Sequence, residues 1–261
     1  MTTPPASSAS LTFNQTVRGI SEFIEVAIHT ILYIRQVYPA ELFIRRKKYD
    51  TPVFQSRHPA LNAYITGAVK AFGTELVNGN LESVVVVIKN KEEEVLERFV
   101  FSVENMIQVE IFDKDISVEG AMSSLALGQY FRSFLVKLNM IEAQLGQMYL
   151  GDDVSFAILM ELKDDMKPAT ASGSKEPPPW IPADQQHTTS GASDDAELHI
   201  VRAVSTGIIN VSQISPSKRY TLSPFAYPFR QLSLVVQESD VKLSLISNSS
   251  QGIDKGKARI P

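Results

Sequence analysis

The sequence predicts an α+β fold, three helices packed on one face of an antiparallel sheet, from three observations. Apolar residues recur at three- and four-residue spacing over 11–37. The β-branched run Val84-Val85-Val86-Val87-Ile88 is followed by a second strand pattern over 95–103. A further helical pattern and then an alternating strand fill 117–162. Helices and strands in this order, without a strict β-α-β alternation, point to segregated layers. The 261 residues, 44% hydrophobic and 21% charged, suffice for one substantial core.

In the first helix Phe13, Val17, Ile20, Ile24, Ile28, Ile31 and Ile34 share one face, and Phe23, Val26, Thr30, Tyr33 and Val37 widen it. Such a helix belongs at the centre of the core, and Pro39 stops it because the residue before a proline is pushed out of the helical region. Residues 42–53 read as a polar hairpin. Its run Arg45-Arg46-Lys47-Lys48 reads either as a solvated edge that discourages strand-to-strand aggregation or as an import or acidic-contact signal. His58-Pro59 opens a second helix, with proline at a position where its missing N–H costs nothing. Leu61, Tyr64, Ile65, Ala68, Val69, Phe72 and Leu76 form its apolar stripe, and Asn78-Gly79-Asn80 ends it.

The strand at 83–88 is apolar on both faces, as expected of an interior strand covered above and below. With 95–103, where Phe99, Phe101 and Val103 alternate, it makes a hairpin in the middle of the sheet. Leu127, Phe131, Phe134, Leu138, Ile141 and Leu145 keep helical spacing within 117–147, although Gly120 and Gly128 each weaken the first half by roughly 1 kcal/mol relative to alanine. Val154, Phe156, Ile158, Met160 and Leu162 alternate as a strand.

Composition changes at Asp164. Residues 1–10 read as a disordered N-terminus, 11–163 as the core domain and 164–179, rich in Pro, Ser and Gly, as a linker. Over 180–240 the strand candidates are 200–212 and 231–238 alone, which cannot bury a core by themselves, so this segment must lie against the body as an arm. The last stretch, 241–261, reads as a flexible tail.

Little in the sequence suggests chemistry. His29, His58, His187 and His199 show no metal-ligand spacing, and there is no nucleophile elbow, phosphate loop or dinucleotide fingerprint. No catalytic residue, cofactor or metal is expected. A hydrolase or metal enzyme using His29 or His58 would require a solvent-open imidazole beside a carboxylate. The net charge of -4 disfavours direct nucleic-acid binding, and the chain has no cysteine. With no apolar run of spanning length, a soluble protein inside the cell is expected.

Glu22 to His29 reads Glu-Phe-Ile-Glu-Val-Ala-Ile-His and Ile31 to Pro39 reads Ile-Leu-Tyr-Ile-Arg-Gln-Val-Tyr-Pro; Arg46-Lys47-Lys48-Tyr49 and His58-Pro59-x-Leu61-Asn62-x-Tyr64-Ile65 follow. These strings resemble the HORMA-domain family, in its branch of accessory subunits of the translesion DNA polymerase zeta. The similarity is dense over 11–104, sparser to 163, and thin but ordered over 179–239, where Pro179-Trp180-Ile181-x-Ala183-Asp184-x-Gln186 resembles the entry to the family's C-terminal safety belt.

The resemblance implies a HORMA fold whose belt, 180–240, traps a partner's extended peptide against the sheet. It implies a non-catalytic adaptor that joins the catalytic subunit of polymerase zeta to a scaffold translesion polymerase, in the nucleus, in DNA damage tolerance. A spindle-checkpoint or meiotic adaptor with a different peptide is the alternative. By position, Tyr64, Trp180 and Ile181 resemble peptide-contacting residues, with ordinary core packing the competing reading for Tyr64 and Trp180. Arg132 matches an arginine used between HORMA proteins, in a homo- or heterodimer, or else is a surface helix charge. Leu198, Arg202, Ser233 and Val235 fall at the second-partner interface, where Ser233 and Val235 replace a polar and an aromatic residue. The 213–228 loop is longer than the family pattern, and the tail after Ser239, with the 241–261 stretch, has no counterpart.

Overall fold

The computed structural model describes residues 9–103, 113–146, 153–163, 166, 168–169 and 180–192, together with the backbone of 197–204 and 232–238. The expectations for the 213–228 loop and the 241–261 tail lie outside the described residues.

Helix α1 (Phe13–Ile34) begins at Thr12, whose Oγ1 accepts the Gln15 N–H at 3.1 Å while Gln15 Oε1 accepts the Thr12 N–H at 3.0 Å. Two orphan donors are thereby satisfied at once. The helix ends before Val37. Gln36 turns left-handed (φ 52) and the Val37 N–H bonds back to the Leu32 carbonyl, so the chain reverses before it reaches Pro39. Ile20, Phe23, Ile24, Ala27, Ile28, Ile31 and Leu32 are completely buried, which is the central position that the widened apolar face predicts.

Strands β1 (Phe43–Lys48) and β2 (Thr51–Ser56) form a separate two-stranded hairpin. Tyr49 and Asp50 both have positive φ, 48° and 53°, as a two-residue turn matched to strand twist requires. Helix α2 (Pro59–Asn78) starts at His58, whose Nδ1 accepts the Leu61 N–H, and stops at Gly79 (φ 76). Strands β3 (Leu81–Asn90) and β4 (Val95–Val103) pair antiparallel, Val84 opposite Phe101.

The single helix expected over 117–147 is shorter and divided. Gly120 sits at φ 77, outside helical space, and Ser123 caps α3 (Ser124–Asn139); a four-residue α4 (Glu142–Leu145) follows. Strand β5 (Val154–Leu162) matches its alternating pattern. Beyond the sheet crossing described below come β6 (Glu197–Val204) and β7 (Leu232–Glu238).

The five-stranded sheet has the order β5-β3-β4-β7-β6, all neighbours antiparallel. Alternate residues separate its faces. Val84, Val86, Ile88, Phe99, Phe101 and Ile158 join the main core under the helices, while Val85, Val87, Val95, Val100 and Leu159 form a smaller cluster on the other face. Phe23 stacks on Phe131 at 4.4 Å and meets Phe101 edge-on at 6.4 Å, joining α1, α3 and β4. A Cβ at Gly19 would lie 3.3 Å from Leu127 Cδ2, which marks how closely α1 and α3 approach.

Two buried polar contacts lock these layers. Arg35, at the end of α1, forks onto Glu97 of β4: Nε to Oε2 at 2.9 Å and Nη2 to Oε1 at 2.6 Å, both side chains almost fully buried. Its Nη1 donates to the Gly146 carbonyl at 2.9 Å, which ties in the end of α4. His29, 4% exposed, accepts the Ser56 N–H on Nδ1 at 3.5 Å and so links α1 to the end of β2. Burial lowers the His29 pKa from 6.5 to about 4.

Two outcomes follow. Glu97→Ala leaves a buried guanidinium without its fork and lowers unfolding free energy by about 3–5 kcal/mol in a urea titration, more than the paired replacement Arg35→Met with Glu97→Leu. Because folding depresses the His29 pKa, its neutral ring contributes stability fully above pH 6.5, and that contribution is lost as pH falls towards 4. Urea titrations across this window show a loss of up to about 3 kcal/mol that His29→Gln flattens.

Candidate functional site

The sheet ends in β5 on one side and β6 on the other; the C-terminal strands β7 and β6 extend it from β4, and among the described residues no strand pairs with the outer side of β5 or of β6. The Ile158 N–H points away from β3 and donates to the Tyr64 hydroxyl at 3.2 Å. Phe156 and Met160, two residues to either side, therefore also turn their N–H and C=O groups outward, since an antiparallel strand alternates its bonding direction. A bare edge of this kind is a template for one more strand.

Beside this edge lies a cavity of about 350 Å³ lined by Tyr38, Leu42, His58, Ala60, Leu61, Tyr64 and Phe156. The sequence builds it locally: the His58 cap and Pro59 start α2 so that Ala60, Leu61 and Tyr64 face β5. Phe156 meets the Tyr64 ring edge-on at 5.7 Å and Tyr38 at 6.1 Å. Burial pushes the Tyr38 hydroxyl above its ordinary pKa, and the neighbouring Tyr64 adds to the effect. The lining is aromatic and apolar, with the hydroxyls of Tyr38 and Tyr64 and the His58 imidazole as its polar side-chain groups. Among the described residues no group of three or more His, Cys, Asp or Glu could hold a metal, and no helix is long and apolar enough to cross a membrane.

The chain leaves β5 at this edge and returns as β6 and β7 at the opposite one. Its path is pinned at both ends. Lys163 donates its N–H to the Asn80 carbonyl and its Nζ to the Gly79 carbonyl, and the Ala169 N–H reaches buried Glu75. From Trp180 onward the segment lies on the sheet face away from the helices. Arg98 Nη2 donates to the Gln186 carbonyl, His187 Nε2 lies 3.1 Å from the Glu93 carbonyl, and Thr189 bonds to Glu161. Burial lowers the Arg98 pKa, and the charge of Glu161 opposes that shift. Residues 180–192, held through Gln186, His187, Thr189 and Gly191, thus form a strap over β4, β5 and the turn between β3 and β4.

The residues singled out from sequence are distributed over three places. Tyr64 lines the cavity and is 47% exposed, so it is not a core residue. Trp180 is half-buried and Ile181 is 88% exposed at the start of the strap; neither is among the cavity's lining residues. Arg132 is exposed on α3. Asp50, in the β1–β2 turn, is held below the ordinary carboxylate range first by a hydrogen bond from Lys47, then by that lysine's charge, with Arg132 adding last among the favourable charges. Leu198 and Arg202 lie on β6, opposite Gln237 and Leu234; Ser233 and Val235 lie on β7, opposite Ser102 and Val100 of β4. Strand β6 runs beside α3, so the strand carrying Leu198 and Arg202 adjoins the helix carrying Arg132. His29 is buried as described, and exposed His58 serves as a helix cap.

Sequence reasoning missed Tyr38, Leu42 and Phe156 in the cavity and Arg98, Glu161 and Thr189 under the strap. Tyr38 stands in a string that had been noticed, but its partners lie far along the chain. The strap contacts join residues 28 and 88 positions apart, so no spacing pattern announces them.

The HORMA domain family matches residues 17–126. The Mitotic spindle assembly checkpoint protein MAD2B of Gallus gallus is 38% identical over 181 residues, 67% of this chain and 80% of that protein. The DNA polymerase zeta processivity subunit of Schizosaccharomyces pombe is 37% identical over 145 residues, 55% of this chain and 67% of that protein. The fold matches a solved structure of C. elegans HTP-2 bound to HTP-3 closure motif 1, with TM-score 0.61, 9% identity, and 91% and 96% of the two chains covered. On this similarity, extending over four-fifths of the Gallus gallus protein, the chain belongs to the HORMA-domain family, in the group of the MAD2B proteins and the polymerase zeta processivity subunit.

Proposed function

We propose that this protein is a non-catalytic clamp that takes an extended peptide of the DNA polymerase zeta catalytic subunit as an added strand on β5 and closes its C-terminal segment, 180–240, over it. The observation that carries this reading is the sheet order: an open β5 edge at one side, both C-terminal strands at the other, and the connecting strap across the face between them. Each backbone hydrogen bond to the incoming strand contributes roughly 0.5–1.5 kcal/mol net. Closure adds a kinetic hold, because a peptide passing beneath the segment cannot leave until the segment opens.

In this reading Tyr64 is the peptide contact at the cavity, and Trp180 and exposed Ile181 meet the peptide where the belt begins. Leu198 and Arg202 on the edge strand β6, with Ser233 and Val235 on the neighbouring β7, belong to the interface with the scaffold translesion polymerase, and Arg132 on the adjoining helix serves association with a second HORMA protein. The protein then assembles lesion bypass in the nucleus without catalysing it.

Pull-down with the catalytic subunit of polymerase zeta tests the partner. Retention is expected, together with slowed amide exchange at Phe156, Ile158 and Met160. Tyr64→Ala weakens binding at least about thirtyfold, as loss of an aromatic anchor does at an interface hot spot. Retention of spindle-checkpoint or meiotic partners with loss of the polymerase subunit would overturn the partner while keeping the clamp, and unchanged exchange along β5 would overturn the clamp.

A further inference from the structure

Strand β5 serves two tasks with its different sides. Its outer edge is open, while Glu161, on the face away from the helices, reaches the strap. One carboxylate oxygen of Glu161, Oε1, accepts the Thr189 N–H at 2.7 Å; the other, Oε2, accepts the Thr189 hydroxyl at 2.8 Å and the Ser83 hydroxyl at 2.6 Å. Ser83, fully buried on β3 and directly opposite Glu161 in the ladder, orients the carboxylate from within the sheet. The bonds to Thr189 have an ionisable acceptor and are of the stronger kind.

The strap's other holds are made largely through its backbone. Arg98 Nη2 donates to the Gln186 carbonyl and, at 3.5 Å, to the Gly191 carbonyl. The fold between them is tight: a Cβ at Gly191 would stand 2.0 Å from the Gln185 carbonyl oxygen. Of the contacts that cross from sheet to strap, the one at Thr189 pairs a carboxylate with both the N–H and the side chain of a single strap residue. It also sits on the strand whose far edge is open.

We propose that Glu161 and Thr189 form the catch that holds the strap closed and thereby sets how fast a bound peptide can leave. This inference rests on the clamp reading above. Both are positioning residues: neither is assigned a contact with the peptide. Closing the catch fixes β5 from its face, so strap closure and the geometry of the open edge are linked through one strand.

The absence of cysteine from the chain allows a direct test. Leu159, 7% exposed and two residues from Glu161 on the same face, is replaced by Cys in the full chain, and its labelling by a maleimide reports strap opening with no peptide present. Thr189→Val is expected to speed labelling roughly tenfold, and Thr189→Asp, which sets two carboxylates against each other, to speed it further. Thr189→Val in a Glu161→Gln background adds less than it does alone, because the two changes remove one shared contact. Thr189→Asp combined with Glu161→Lys restores slow labelling, an outcome that general loosening of the fold would not give. Rates equal within twofold across the variants, at unchanged Tm, would overturn the catch. Faster labelling with unchanged release of the polymerase zeta peptide would keep Glu161 and Thr189 as a hold on the strap but overturn their control of peptide release; loss of peptide binding by the parent chain carrying Leu159→Cys alone would overturn the clamp reading instead.

Discussion

The Arg35–Glu97 fork is the contact on which the rest of the arrangement depends. It joins the end of the central helix to β4, and Arg35 Nη1 donates to the Gly146 carbonyl just after α4. A buried ion pair is weak evidence for net stability, because both charges have been taken from water. Its value here lies in geometry. A planar guanidinium forked onto a carboxylate permits one placement of α1 over β4, and β4 is the strand that receives β3 on one side and β7 on the other.

From that fixed strand the sheet grows in two directions. On one side the C-terminal strands continue it to β6; on the other β3 passes the ladder to β5, and among the described residues neither edge strand has a further partner. Exposed edges are usually blunted by charge, bulge or cover. Here Tyr64 occupies the Ile158 N–H, and Phe156 forms part of an aromatic cavity beside it. An edge partly satisfied by one hydroxyl is protected from indiscriminate pairing yet open to a chain that brings its own acceptors and a side chain fitting the cavity.

Much of the body was legible because its signals are local. The buried face of α1, the proline start of α2 and the alternation of Phe99, Phe101 and Val103 each depend on neighbours within a turn or a strand. Departures occurred where a backbone angle overrode periodicity. Gln36 and Gly120 adopt positive φ, so α1 ends before its proline and the third helix begins late. Leu127, Phe131, Phe134, Leu138, Ile141 and Leu145 still point inward, because they share one face of α3 and of the short α4 that continues it.

The site was legible in part. Tyr64 and Trp180 stood out through resemblance, whereas the edge, the cavity and the strap required the fold. The sequence by itself determined which segments are helix and which are strand, that the last third could not stand alone, and that a HORMA pattern runs through the first. Tertiary structure alone decided which strand lies at the edge, which face the strap crosses, and that Thr189 meets Glu161. Strand order and side-chain hydrogen bonds between distant segments depend on where elements dock, and periodicity carries information only about the face each element buries.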